Sequence, residues 1–508
     1  MADGYPSGRT ATPEQEAVRL QSLFSVENLT RSSSRRSRRL VAAVLAAALV
    51  MSTLAIVLAL RTKVDAHNYP AAWSSPVAPF AAVVEETRDL RFEHPVFVDF
   101  LDEEQFRADA VEADTVSSGQ DRARIEQGVG LLRALGAVSG DLDLFNEAGQ
   151  LRGSTVLAYY SYRDEHIRVR GQDLTPAVQS ELVVALARAL QDQHFGVGAR
   201  LLAVRSDPAR ESALRALVVG DAARVEEGWF ASLSSAEQAE VESDRVRFGV
   251  KTGDGSSRVP GVIKALVGTP EEFGGALVDT AFAHGGQRAV DDLFLVPPTT
   301  AEQVLDPWTM VQDHQGYLAL TKPVVDDDST QTATGTFGAI YWLLLLAERL
   351  PASRALDAAY GWGGDTFVTY DRNATSCVKV AYGADRPRDL AEMQSALEAW
   401  SRRAPDGEGV TVRRRGPHLL VRSCVPGTAV TTRSHGDGPR QAVDLAVGRS
   451  LLSLNLLEAD MDVATARCGA ALLLPGPDVT ADAESSVTRS VVRRVLRACA
   501  DPSTGHAS

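Results

Sequence analysis

A run of 21 residues, Leu40 to Leu60 (LVAAVLAAALVMSTLAIVLAL), carries no charge and only Ser52 and Thr53 as polar side chains. At 1.5 Å per residue such a helix spans about 30 Å, the thickness of a bilayer's hydrocarbon core. The apolar region of a cleaved signal peptide is shorter, about 7–15 residues. The run therefore predicts an uncleaved membrane anchor. Arg31, Arg35, Arg36, Arg38 and Arg39 precede it, whereas only Arg61 and Lys63 follow closely. By the positive-inside rule this leaves the N-terminus in the cytoplasm and residues 61–508 outside the cell membrane. The formal charge of −14 on 508 residues argues against a nucleic-acid partner. A hydrophobic content of 44% supplies a substantial core.

The organisation predicted from pattern is a basic cytoplasmic tail (1–39), a transmembrane helix (40–60), a Pro/Ser-containing linker (61–89), a main domain (90–425) and a C-terminal helical extension packed on it (426–508). PVFVDFL (95–101) alternates like a strand and precedes an acidic helix, and 122–137 has helical period. VLAYYSY (156–162) and HIRVRG (166–171) read as a hairpin. From about 174 to 365 the pattern is mostly helical, and 366–425 returns to strand-like runs. IYWLLLLA (340–347), too short to cross a membrane, reads as a buried helix. The fold class expected is α+β, helix-dominated, with a small sheet and one leading transmembrane helix.

The four cysteines, Cys377, Cys424, Cys468 and Cys499, fall on the oxidising side and permit three pairings. Cys377 with Cys424 is favoured because both lie in strand-like sequence, and Cys468 with Cys499 because both lie near C-terminal helices. No C-x-x-C spacing supports a thiolate metal site, which leaves disulfides or free thiols.

Thr175-Pro176 is a helix start, and the run Leu182–Leu190 that follows is apolar on every face except at Arg188. An isolated charge on a buried helix needs a carboxylate or a water-filled cleft. Asp192 is a local candidate, and a second helix near 209–231 offers Asp221, Glu226 and Glu227. A plain surface Arg–Asp pair is the alternative.

The stretch DLTPAVQSELVVALARALQDQHFGVG resembles the active-site helix of a bacterial family of zincin-like metallopeptidases, whose pattern runs L-T-P…V-H-E-L-T-H-A-L-Q-D-Q-H-F. LRFEHPVFVDFLDEEQFRADA (90–110), LVVGDAARVEEGWF (217–230), PPTTAEQVLDP (297–307) and AAYGWGGDTFVTY (358–370) resemble further segments of that family. The likeness spans roughly residues 90–425 and implies a zincin-like domain. In H-E-x-x-H, two His one turn apart hold zinc, the intervening Glu is the general base, and a Glu from the L-V-E-G-D-A segment is the third ligand. At the matching positions this chain has Val184, Ala185, Arg188 and Val219. Val and Ala donate no lone pair, and a guanidinium repels a divalent cation.

The resemblance thus implies a pseudoenzyme with no metal, no cofactor and no catalytic residue. Arg188 is expected to pair with Asp221, whose family counterpart supports the metal site from behind its ligands. No two of the nine His lie closer than 17 residues, which excludes a helical His pair. No G-x-S-x-G or phosphate-binding loop occurs. His194 reads as structural, GWGGD (361–365) as a tight turn under Trp362, Asp326-Asp327-Asp328 as a solvated loop and Arg413-Arg414-Arg415 as a charged turn. The function expected is binding or scaffolding at the cell envelope, with a peptide, protein or cell-wall ligand in the former cleft. The alternative is a peptidase or other hydrolase with relocated active-site residues.

Overall fold

The structure, a computed structural model, describes residues 69–114, 130–135, 156–252, 261–326, 329–372, 375–404, 409–426, 437–476 and 489–499. The tail 1–39, the run Leu40–Leu60 and most of the helix expected over 122–137 lie outside the described residues.

The elements run α1 (Ala78–Arg88), β1 (Val98–Leu101), α2 (Glu103–Asp114), β2 (Ala158–Ser161), β3 (His166–Arg170), α3 (Pro176–Phe195), α4 (Val197–Val204), α5 (Pro208–Ser232), α6 (Ser235–Thr252) and α7 (Gly261–Leu295). There follow α8 (Glu302–Leu305), α9 (Pro307–Val311), β4 (Thr330–Gly335), α10 (Ala339–Ala347), α11 (Ala352–Ala359), β5 (Trp362–Arg372), β6 (Thr375–Ala384) and α12 (Pro387–Ser401). The chain continues with β7 (Thr411–Arg415), β8 (His418–Pro426), α13 (Gly438–Glu458), α14 (Val463–Leu473) and α15 (Arg489–Cys499). The first sheet has the order β1-β3-β2, with β1 parallel and β2 antiparallel to β3. The second is antiparallel, in the order β4-β5-β6-β8-β7.

The expected fold class is corrected in two respects. There are two sheets, the larger of five strands, in place of one small sheet. Among the described residues no helix is long and apolar enough to cross a membrane. The described fold is therefore mixed helix and sheet, and the predicted leading membrane helix finds no support in it. The linker expected over 61–89 contains α1, whose final residue, Arg88, is buried. The region 426–508 contributes more than an outer layer. Ala442, Val443, Ala446, Leu452 and Leu456 of α13 belong to the same core as α7 and α10.

Both favoured cysteine pairings are present. Cys377 of β6 and Cys424 of β8 are directly opposite in register and disulfide-bonded, and Cys468 ties α14 to Cys499 of α15. Two such bonds mark an oxidising compartment. GWGGD begins a strand instead of making a turn. Buried Asp365 accepts from the indole nitrogens of Trp342 and Trp362 and from the backbone N–H groups of Phe337 and Gly338. The three arginines 413–415 form edge strand β7, not a turn. Asp326 pairs with Lys379 at 3.3 Å, while Asp327 and Asp328 lie outside the described residues.

The Thr300/Gln303 segment ahead of α8 is a capping box. Thr300 Oγ1 accepts from Gln303 N, and Gln303 Oε1 accepts from Thr300 N.

Candidate functional site

Helix α3 starts where Pro176 fixes the first turn, and its cap comes from another helix. Asp244 of α6 accepts from Thr175 Oγ1 (2.7 Å) and Ala177 N (3.0 Å). It ends at Gly196, whose left-handed φ of 61° stops the helix with an N–H bond to Asp192 O. Leu182, Val183, Ala185, Leu186, Ala189 and Leu190 are buried, as expected for a helix apolar nearly all round. The exception is a half-buried stripe of Glu181, Val184, Arg188 and Asp192, spaced three, four and four residues apart.

The neighbouring helix α5 presents a matching stripe, Arg215, Val219 and Ala223, also half-buried. α5 crosses α7 with the backbones in contact: a Cβ on Gly220 would lie 2.0 Å from Gly274 O. The glycine of the G-D-A segment is therefore required by helix packing, whatever chemistry stands beside it.

Of the four positions that matter to the resemblance, Ala185 is buried, while Val184, Arg188 and Val219 are half-buried on the two stripes. The expected Arg188–Asp221 pair is not formed. Asp221 lies two residues from Val219, about 200° round the helix, and faces another arginine. Arg88 Nε donates to Asp221 Oδ2 at 2.9 Å, and Gln191 Nε2 donates to the same oxygen at 2.8 Å. Arg88 Nη2 lies 2.7 Å from Asp291 Oδ1. Its guanidinium carbon is 5.8 Å from the ring centroids of both Phe195 and Phe294. Burial holds the Asp221 carboxyl above the ordinary carboxylate range, and Arg88 opposes that effect.

Two other carboxylates that the sequence offers to Arg188 are also engaged elsewhere. Asp192 accepts from Tyr160 Oη (3.0 Å) and Gly198 N (2.8 Å). Glu226 accepts from Ser180 Oγ and from Arg245 of α6. Among the described residues Arg188 has no ion pair, and its Nε is buried without a hydrogen bond. Near it lie Tyr162, whose hydroxyl is buried without a partner and pushed up to about 12 by desolvation, and Glu181, raised by burial and partly held down by Arg188 and Arg245. The surroundings of Arg188 therefore combine its guanidinium, two orphan donors, the Glu181 carboxyl and apolar Val184 one turn earlier. Such a surface can hold a carbonyl or carboxylate oxygen. Val184 and Ala185 supply neither a metal ligand nor a base. Among the described residues no group of three or more His, Cys, Asp or Glu is placed to hold a metal ion.

His194 behaves as a structural residue, with Nε2 2.7 Å from Arg91 O. Sequence reasoning missed Arg88, whose partners lie 133 and 203 positions away along the chain. It also missed the interruption of α7 at Gly285–Gly286, although a Gly-Gly pair inside an apolar helical run is a local signal for a break. No protein-family model, curated protein or solved structure matches this chain.

Proposed function

We propose that this domain is a non-catalytic binding module of an oxidising, extracytoplasmic compartment, built on a metallopeptidase-like scaffold. Its ligand is an extended peptide or a peptide-bearing cell-wall fragment lodged along the α3–α5 stripes. The observation that carries this reading is Arg188. It stands where the resembling family has a zinc ligand, and among the described residues it has no ion pair. A guanidinium there substitutes one positive centre for another. It can grip a peptide carbonyl or carboxylate through charge-assisted hydrogen bonds. It cannot lower the pKa of a water to make a nucleophile as zinc does, and Ala185 cannot take a proton.

The test is titration of the full-length chain with a library of peptides and peptidoglycan fragments, followed by Arg188→Ala on whatever binds. Loss of one strong charged contact weakens affinity by about tenfold or more. Stoichiometric zinc in the purified protein together with chelator-sensitive peptide cleavage would overturn the reading, as would wild-type affinity in Arg188→Ala.

A further inference from the structure

A second feature, separate from the Arg188 stripe, is a cavity of about 340 Å3 lined by residues of α1, α5 and α7, including Arg88, Asp221, Arg224, Glu227, Phe282 and Gln287. That volume falls within the range of small-ligand sites, about 300–1,000 Å3. Helix α7 breaks between two of its lining residues: Gly285 has φ −153° and ψ 21°, and Gly286 has φ 66° and ψ −159°. The Gly286 conformation belongs to a region that essentially only glycine occupies, and such outliers concentrate at ligand sites.

The polar groups of the lining are incompletely matched. Arg88 and Asp221 are 2% and 1% exposed, yet Arg88 Nη1 and Asp221 Oδ1 have no hydrogen-bond partner, and neither has Gln287 Nε2. A native interior rarely leaves three such atoms around one space. The charges are uneven as well. Arg224 is paired with Asp279 at 3.0 Å, and Arg88 with Asp221 and Asp291. Glu227 makes no ion pair among the described residues. The shell holds two guanidinium groups against four carboxylates, so it attracts a cation. Its unmatched donors require that the same molecule carry an acceptor.

We infer that this cavity binds a small ligand with a primary ammonium next to a carbonyl or carboxylate, the chemistry of an amino acid or of the first residue of a peptide. The ammonium sits against Glu227 and Asp221 Oδ1. Its neighbouring oxygen accepts from Arg88 Nη1 and Gln287 Nε2. Phe282 and Val225 give an apolar wall to the ligand's side chain.

Calorimetric titration of the full-length chain with leucinamide, leucine and N-acetyl-leucinamide tests the assignment. Leucinamide, which mimics a peptide's first residue, or leucine, the free amino acid, saturates one site, and the tighter of the two identifies the source. Acetylation removes the ammonium and weakens binding by about tenfold or more. Glu227 is exposed at the cavity's rim, so Glu227→Gln keeps the wild-type circular dichroism and weakens leucinamide by about tenfold. Gln287→Ala, a second lining variant, lowers affinity in the same direction, whereas Arg188→Ala leaves it unchanged. Absence of saturable heat from either ammonium ligand overturns the inference and marks the cavity as solvent-filled. So does equal affinity for the acetylated compound, wild-type affinity in Glu227→Gln, or loss of leucinamide binding in Arg188→Ala.

Discussion

Arg88 and Arg188 both sit near α3 and α5, and the chain treats them differently. Arg88 is withdrawn from water almost completely and is surrounded by two carboxylates, an amide and two aromatic rings. Arg188 is only partly buried, and the nearby Asp192 and Glu226 are bonded to other groups. A buried charge requires compensation on every side, because desolvation removes more free energy than one partner restores. A half-exposed charge needs no such compensation, since water supplies it. The first arginine is thus fixed by the fold, with Nη1 left over for the cavity between α1, α5 and α7, while the second has no ion pair among the described residues and is left available to something outside the fold.

The sharpest way to break this contrast is Asp221→Ala, which leaves Arg88 buried with Asp291 as its remaining acid. A loss of about 3–5 kcal/mol in denaturant unfolding is expected, the cost of stranding a buried ion. A cost below 1 kcal/mol would mean that Arg88 is not the structural member of the two. Next comes Gly220→Ala, which forces apart the α5–α7 crossing beside Asp221. With Gly274 O only 2.0 Å from the new Cβ, backbone displacement costs about 3 kcal/mol, readable as a lowered thermal midpoint.

The same distinction between matched and unmatched burial recurs in two acids. Asp365 is buried among four donors. Glu302 is buried with an Oε2 that bonds to nothing, and desolvation, with Asp385, Asp306 and Asp389 nearby, raises it to about 9. A carboxyl raised in the folded state costs no stability below the unfolded carboxylate range near 4.3. The penalty grows as pH rises from there toward 9. Glu302→Gln is therefore expected to stabilise the protein by several kcal/mol, up to about 5, at pH 8 and to be neutral at pH 4. Melts at the two pH values decide it, and equal effects at both would remove the assignment. The smallest effect is expected for Arg188→Leu. It should change stability by no more than about 1 kcal/mol, in either direction, because no ion pair is lost. A larger loss would place Arg188 in the same structural class as Arg88.

Much of the fold was legible because it rests on local periodicity. The start of α3 at Thr175-Pro176, the β2–β3 hairpin, the apolar helix over 340–347 and both cysteine pairings follow from neighbours in sequence. What escaped depends on distance along the chain. Asp221 had to choose between Arg188 and Arg88, and only the relative rotation of two packed helices makes that choice. GWGGD looked like a turn because glycines were read for flexibility. At Gly364 the physical requirement is instead room for the passing backbone of the loop at Leu318, since a Cβ there would lie 2.4 Å from Leu318 O. Of the site, the apolar and cationic replacements at 184, 185, 188 and 219 were readable as residue types. That three of them line half-open stripes was not.

The bond between Cys468 and Cys499 has a practical consequence for how this protein ages in an oxidising compartment. A protease that severed the backbone anywhere between Leu474 and Arg489 would release nothing. The terminal piece would stay fastened by sulfur, the nicked molecule would migrate as one band without reductant, and only a thiol would separate the fragments.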